Sequence, residues 1–156
     1  MISPRQILAR SVRVSVPEPR LAPPTELDLL RAEQALGCRL PEAFIEFQKL
    51  MGGRALPGLD VLRLAGASDE SSSLVESNLR WRSPRHGFGL AAGVVAFAPD
   101  GAGDFFCFDL RDGSADPEVV LWDPSVGTDE NLADLRPLHA NFLDWLEAEL
   151  DLSAVA

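Results

Sequence analysis

Few side chains in this sequence have the chemistry of a catalyst: the two cysteines, Cys38 and Cys107, and the two histidines, His86 and His139. A catalytic thiol needs a neighbouring base, so Cys107 with one histidine is the pair to consider. Cys107 lies in the alternating pattern DFFCFDL, which places it on an inward or half-buried strand face. His139 stands where the last helix is predicted to start, and a polar side chain suits that position. We therefore expect no catalytic site.

The segment from Asp100 to Asp104 superficially resembles a calcium-binding loop. It lacks oxygen ligands at alternate positions and a terminal bidentate glutamate, so a glycine-rich turn explains it. No Lys-Ser/Thr follows and no helix begins there, which argues against a phosphate-binding loop. Cys38 and Cys107 match no metal-ligand spacing and are expected to be buried thiols rather than a disulfide. The sequence predicts neither a metal nor another cofactor.

The charge is unevenly distributed along the chain. The formal net charge is −10, yet residues 1–99 have a net charge of +2 and residues 100–156 a net charge of −12. A field of that sign repels nucleic-acid phosphates and attracts a basic partner. We expect no direct nucleic-acid ligand. Acidic residues that only keep the protein soluble would give the same composition.

Two groups of carboxylates in predicted loops are the candidate partner-binding residues. They are Asp112, Asp116 and Glu118 around one turn, and Asp129, Glu130 and Asp134 in the loop from Ser125 to Asp134. Like charges at this density repel one another, and either a basic partner or water compensates them. Trp81, flanked by Arg80 and Arg82, is a further candidate because Trp and Arg are enriched at interface hot spots. A lone Trp in a helix more often serves packing.

Helical periodicity predicts three main helices. Thr25 with Asp28 resembles a capping box that opens the first, and Gly37 ends it. The second begins at Pro41, has apolar residues at helical spacing through Met51 and stops at Gly-Gly. The third is HANFLDWLEAEL, with a buried stripe of Phe142, Leu146 and Leu150. The first two should form a helical hairpin.

The segments between these helices favour strands, except for a polar, partly helical stretch from Asp69 to Trp81 and a loop in SPRHGFG. LAAGVVAFAPD, DFFCFDL and EVVLWDP are expected to form a meander joined by turns at residues 100–103 and 112–113. LPGLDVLRLAG is expected to contain a short strand. Trp122 and Trp145 should lie mainly in the core. Residues 1–24, with four prolines after position 16, are predicted to be an extended arm or an edge strand over Ile7–Val16.

This order of elements predicts an α+β fold, with an antiparallel or mixed sheet packed against two N-terminal helices and one C-terminal helix. Length and composition indicate one domain, over residues 25–152. No apolar run has the roughly 20 residues that a membrane span needs. The N-terminus lacks the continuous apolar stretch of a secretory signal, so a cytoplasmic location is expected.

Residues 25–53 resemble the opening of the SUKH superfamily, in which an acidic residue before a small-Leu-Gly step leads to a Leu-Pro pair and a second helix closed by Gly-Gly. The matching positions are Glu33, Leu36, Gly37, Leu40, Pro41, Phe44, Phe47, Gly52 and Gly53. FAPDGAGDFFCFDLRD is similar to the superfamily's hairpin, with a Gly-Asp pair before an aromatic strand that ends in aspartate. The likeness extends from about Thr25 to Leu150.

The resemblance implies a protein-binding domain rather than an enzyme. Bacterial members frequently serve as immunity proteins that bind a cognate toxin domain, often a nuclease. A basic nuclease would suit the acidic C-terminal half of this chain. Fungal relatives resemble regulators of cell-wall assembly, so a regulatory or scaffold module without a toxin partner is the alternative function. An enzymatic reading would need a polar cleft with a close Cys–His or carboxylate pair.

Overall fold

The structure is a computed structural model that describes residues 2–66 and 70–155. Its elements, in chain order, are α1 (Pro4–Val14), β1 (Val16–Pro17), α2 (Glu26–Leu36), α3 (Glu42–Leu50), β2 (Arg54–Ala55), a 3-10 turn (Glu70–Ser72), α4 (Leu74–Arg82), β3 (Val94–Pro99), β4 (Phe105–Asp109), β5 (Val119–Trp122), α5 (Thr128–Ala133), β6 (Pro137–His139) and α6 (Phe142–Val155). The predicted α+β class is confirmed. Strands β3, β4, β5 and β6 form an antiparallel sheet in that order, and β1 pairs with β2.

The α2–α3 hairpin forms as the sequence predicts. The Thr25 hydroxyl accepts the Asp28 N–H, and the Asp28 carboxylate accepts the Thr25 N–H, which completes the capping box. Gly37 ends α2 in the left-handed conformation (φ 73°). The Glu33 carboxylate accepts the Leu40 N–H at 2.7 Å, so this acidic residue fixes the turn into α3.

The sheet has a core on each face. One face packs on α3 and α6, where Phe44 meets Phe97, Phe108 and Phe142 edge to face. Trp145 is fully buried in this larger core, and Trp122 is fully buried in a smaller one on the other face. The prediction that both tryptophans are core residues is confirmed.

Strand β3 is the edge of the four-stranded sheet, and its outer side is covered. Asn78, on α4, accepts the Ala96 N–H and donates to the Ala96 carbonyl, both at 2.8 Å. The Leu62 N–H donates to the Phe97 carbonyl at 2.8 Å. These contacts occupy backbone groups that an open edge would offer to another chain.

Three predicted elements differ in the structure. The extended arm was wrong over Pro4–Val14, which is a helix, because Ser3 and Gln6 form a capping box and Pro4 takes the first helical position. The strand in LPGLDVLRLAG was wrong, since only Arg63 forms an isolated bridge there, to Ser73. The loop from Ser125 to Asp134 contains the short helix α5.

Candidate partner-binding surface

The structure separates the six candidate carboxylates into two groups. Asp112, Asp116 and Glu118 follow β4 and precede β5, at one end of the sheet. Asp129, Glu130 and Asp134 lie on α5 or at its C-terminal cap, after the opposite end of β5. The four residues of β5 separate these ends by about 10 Å or more. All six side chains are exposed, but they do not form one cluster.

The group after β4 has neighbours that neutralise or engage it. Arg111 pairs with Asp109 at 2.9 Å beside these carboxylates. The hydrogen bond from Arg111 lowers the pKa of Asp109. The Asp116 carboxylate accepts a hydrogen bond of 3.1 Å from the Asn141 side chain, and that of Asp112 accepts the Ser114 N–H. Most carboxylates of this loop therefore already have a hydrogen-bond or ion-pair partner within the protein.

Trp81 belongs to an aromatic cluster at the other end of the sheet. Its ring lies 4.4 Å from that of Phe105 and 5.8 Å from that of Phe88, and the Phe88 and Phe105 rings stack at 5.8 Å. All three residues are half-buried. The three residues cover the smaller core and remain partly accessible to solvent. Trp81 therefore contributes to core packing and is also part of the surface.

Helix α5 is fixed beside this cluster. The Thr128 hydroxyl donates to the Gly89 carbonyl at 2.6 Å, next to Phe88. Gly89 has φ 73°, and a Cβ there would lie 2.7 Å from the Thr128 hydroxyl, so a larger residue would displace the helix. The buried Asn131 bonds the Asp123 N–H and carbonyl at 2.9 and 2.8 Å. The first turn of α5, with Asp129 and Glu130, is therefore held in place.

Two further carboxylates at this end were not predicted as site residues. The register Phe105↔Trp122 places Asp104 directly opposite Asp123, one step beyond the end of the ladder. The two carboxyl groups therefore lie near each other at this end of the β4–β5 hairpin. Burial first, and then repulsion from Asp123 and Asp100, raises the pKa of Asp104. Hydrogen bonds from Ser125 lower the pKa of Asp123.

We call Trp81, Phe88, Phe105, Asp104, Asp123, Asp129 and Glu130 the acidic–aromatic surface. Within residues 2–66 and 70–155, none of its four carboxylates forms an ion pair with a cation. Arg80, on α4, and Arg85, in the loop that follows α4, are exposed cations on the other side of the aromatic cluster's Trp81. Asp134 lies beyond it and pairs with Arg136 at 3.0 Å.

Comparison with known proteins identifies the family. The sequence profile of the SMI1 / KNR4 family (SUKH-1) matches residues 23–148. The chain belongs to this family. A crystal structure of a protein from Pseudomonas syringae pv. tomato has the same fold, with 19% sequence identity and a TM-score of 0.59, over 77% of this chain and 83% of that one. No curated protein matches the sequence. The SUKH resemblance is thus confirmed.

The residues with catalytic potential in this SUKH-1 protein are not arranged as a catalytic pair. Cys107 is fully buried, and this burial raises the pKa of its thiol far above neutrality. Cys38 is half-buried, and burial raises the pKa of its thiol as well. The close carboxyl pair, Asp104 and Asp123, lines neither of the two clefts described on the surface.

The described part of the chain has neither a membrane-spanning helix nor a cluster of metal-ligating side chains. None of its helices combines the length and apolarity needed to cross a bilayer. No group of three or more metal-ligating side chains comes together among the same residues.

Replacing Asp104 with asparagine should stabilise the SUKH-1 domain at neutral pH. The pKa of Asp104 is higher in the folded state than in the unfolded state, where it is about 3.9. The contribution of Asp104 to folding stability is therefore fully present below the unfolded pKa and is lost as pH rises through the folded pKa. Asparagine does not ionise, so the variant does not lose this stability as pH rises, and its amide can donate a hydrogen bond to Asp123. The gain in Tm over wild type should appear near neutral pH and vanish towards about pH 4, measured by thermal denaturation across this range.

Glu118→Gln is the matched control for Asp104→Asn. It also removes one negative charge, but from an exposed carboxylate at the other end of the sheet. An equal, pH-dependent gain in both variants would mean that net charge, not the Asp104–Asp123 contact, sets the effect.

Proposed function

We propose that this SUKH-1 protein is an immunity protein. It binds a basic toxin domain made by the same cell or its kin, with a nuclease as the favoured class, and neutralises it by occlusion in the cytoplasm. The observation that carries the proposal is the acidic–aromatic surface, where four carboxylates and three half-buried rings lie at the same end of the sheet and none of the carboxylates pairs with a cation in the described part of the chain. A partner's Lys and Arg residues would supply the missing positive charge.

The physical features of this surface fit tight binding. Aromatic rings supply contact area with little loss of side-chain entropy, and Trp is the residue type most enriched at interface hot spots. Asn131 and Thr128 hold α5 before any partner arrives, which lowers the ordering cost of association. The negative field adds electrostatic steering and therefore a fast encounter with a basic protein. None of these features requires a covalent reaction with the partner.

Affinity capture followed by growth rescue tests this function. The tagged full chain is incubated with lysate of its native host at low salt, and bound polypeptides are released at high salt and identified by mass spectrometry. We expect one basic polypeptide, encoded next to the gene for this protein. Its expression in a heterologous host should arrest growth, and co-expression of this protein should restore growth.

An unrelated acidic protein of similar net charge serves as bait for the control, because it reveals capture by charge alone. If the specific polypeptides do not inhibit growth, or if growth stays arrested although the complex forms, the immunity function is wrong. Recovery of envelope or housekeeping proteins would instead support a regulatory or scaffold module.

A further inference from the structure

A second surface, unrelated to the acidic–aromatic one, lies where the two ends of the described chain meet. Helix α1 packs against α6, and a groove of about 360 Å³ remains between α1, residues 56–59 and the last turns of α6. Its floor is apolar: Val14, Leu56, Pro57, Leu59 and Leu150. Arg10 and Arg13 line one side.

Apolar side chains at this groove are strongly exposed. Val14, at the end of α1, is 48% exposed. Pro57 is also exposed, and Leu56 and Leu59 are half-buried. Exposed apolar groups beside a concave apolar floor are typical of protein interaction sites.

The charge of the groove is opposite to that of the chain as a whole. Helix α1 carries Arg5, Arg10 and Arg13 and no acidic residue, in a protein with a net charge of −10. Arg10 uses one guanidinium nitrogen to bind Asp151 at 2.5 Å. Arg13 is exposed and forms no ion pair with any residue in 2–66 or 70–155. The groove thus has one free guanidinium and part of another along its rim.

The groove is also built largely from segments outside the family's shared part. The family profile ends at residue 148 and begins at residue 23. Arg10, Arg13, Val14 and Leu150 all lie outside it, and only residues 56–59 lie within. The surface is therefore a feature of this chain that family membership does not explain.

We propose that this groove docks an acidic amphipathic segment of a second partner protein. Leucine-like side chains of the segment occupy the apolar floor, and its carboxylates pair with Arg13 and with the remaining nitrogens of Arg10. The basic partner of the acidic–aromatic surface has the wrong charge for this groove. Binding at this groove does not depend on what the acidic–aromatic surface binds.

A differential peptide selection tests the proposal. A displayed library of random peptides is selected on the full-length protein and counter-selected on the Arg13→Glu, Val14→Asp double variant. We expect enriched sequences that combine Asp or Glu with Leu, Ile or Phe at helical spacing. A synthetic enriched peptide, labelled for fluorescence anisotropy, should bind the double variant at least about tenfold more weakly than wild type.

Arg31→Glu is the control for the charge reversal, since it makes the same charge change as Arg13→Glu alone at an exposed position on α2, outside the groove. It should leave peptide affinity unchanged, and all variants should keep the wild-type melting temperature because both groove positions are exposed. Absence of selective enrichment, enrichment of basic peptides, or equal weakening by Arg31→Glu would overturn the proposal. Light scattering that shows a dimer abolished by the double variant would also overturn it, since the occupant would then be a second copy.

Discussion

Replacing Asn78 with alanine is expected to lower the free energy of unfolding by about 2–5 kcal/mol. Asn78 is 0% exposed, and its side chain takes the place of a neighbouring strand beside Ala96. Alanine leaves the Ala96 N–H and carbonyl without partners in the interior, at about 1–3 kcal/mol each. The amide also donates to the Leu74 carbonyl in the first turn of α4 at 2.8 Å, and this bond within the helix is lost as well.

Chemical denaturation with urea measures this effect. Asn78→Leu separates the two contributions, because leucine fills most of the space but makes no hydrogen bond. If Asn78→Leu lowers the free energy of unfolding about as much as Asn78→Ala does, the lost hydrogen bonds account for most of the effect. Wild-type stability in Asn78→Leu would contradict the argument. Arg80→Ala, at an exposed position of the same helix, should change stability by no more than about 0.5 kcal/mol.

The role of Asn78 illustrates what the sequence could not predict. Periodicity predicted the strands because their apolar side chains alternate, and it predicted α2, α3 and α6 because they carry one apolar stripe. A polar residue inside a polar, partly helical stretch gave no sign that it replaces a strand partner. That role depends on the position of α4 against the edge of the sheet, which is a tertiary property.

The missed helices had local signals. The sequence SPRQ at positions 3–6 contains a capping box and a proline at the first helical position, which are recognised helix starts. The prolines that argued against a helix in this region all follow Val14. In α5, Asp129 and Glu130 occupy the first turn, where acidic side chains stabilise a helix by interacting favourably with its dipole. Local rules, applied residue by residue, would have found both.

The candidate surface was only partly predictable, for a different reason. Composition indicated an acidic C-terminal half, but sequence distance did not show that β5 places its carboxylates at two ends of the sheet. The pairing of Asp104 with Asp123 follows from the β4–β5 register, which cannot be read from either strand alone. Phe88 and Phe105 likewise join Trp81 only once the sheet and the residues after α4 are folded together.

Reversing both charges at the first turn of α5, by Asp129→Lys and Glu130→Lys, is expected to weaken binding of the captured basic partner about ten- to hundredfold at low salt. Each substitution removes an attraction to the basic partner and adds a repulsion. Because these side chains are exposed, the loss should appear mainly in the association rate. It should shrink as salt screens the charges. Stopped-flow association at several salt concentrations measures it.

The separation of the carboxylates into two groups provides a matched variant for this experiment. Asp112→Lys with Asp116→Lys makes the same change in net charge, but at the opposite end of the sheet, where hydrogen bonds within the protein engage both carboxylates. If binding occurs at the acidic–aromatic surface, this variant should slow association far less than the α5 variant. Equal slowing in both variants would mean that only the total charge attracts the partner. A larger effect of the Asp112→Lys, Asp116→Lys variant would indicate that the interface lies at the β4–β5 loop. Unchanged affinity of the α5 variant at low salt would remove Asp129 and Glu130 from the interface, because charges in direct contact with a basic surface cannot be reversed without loss.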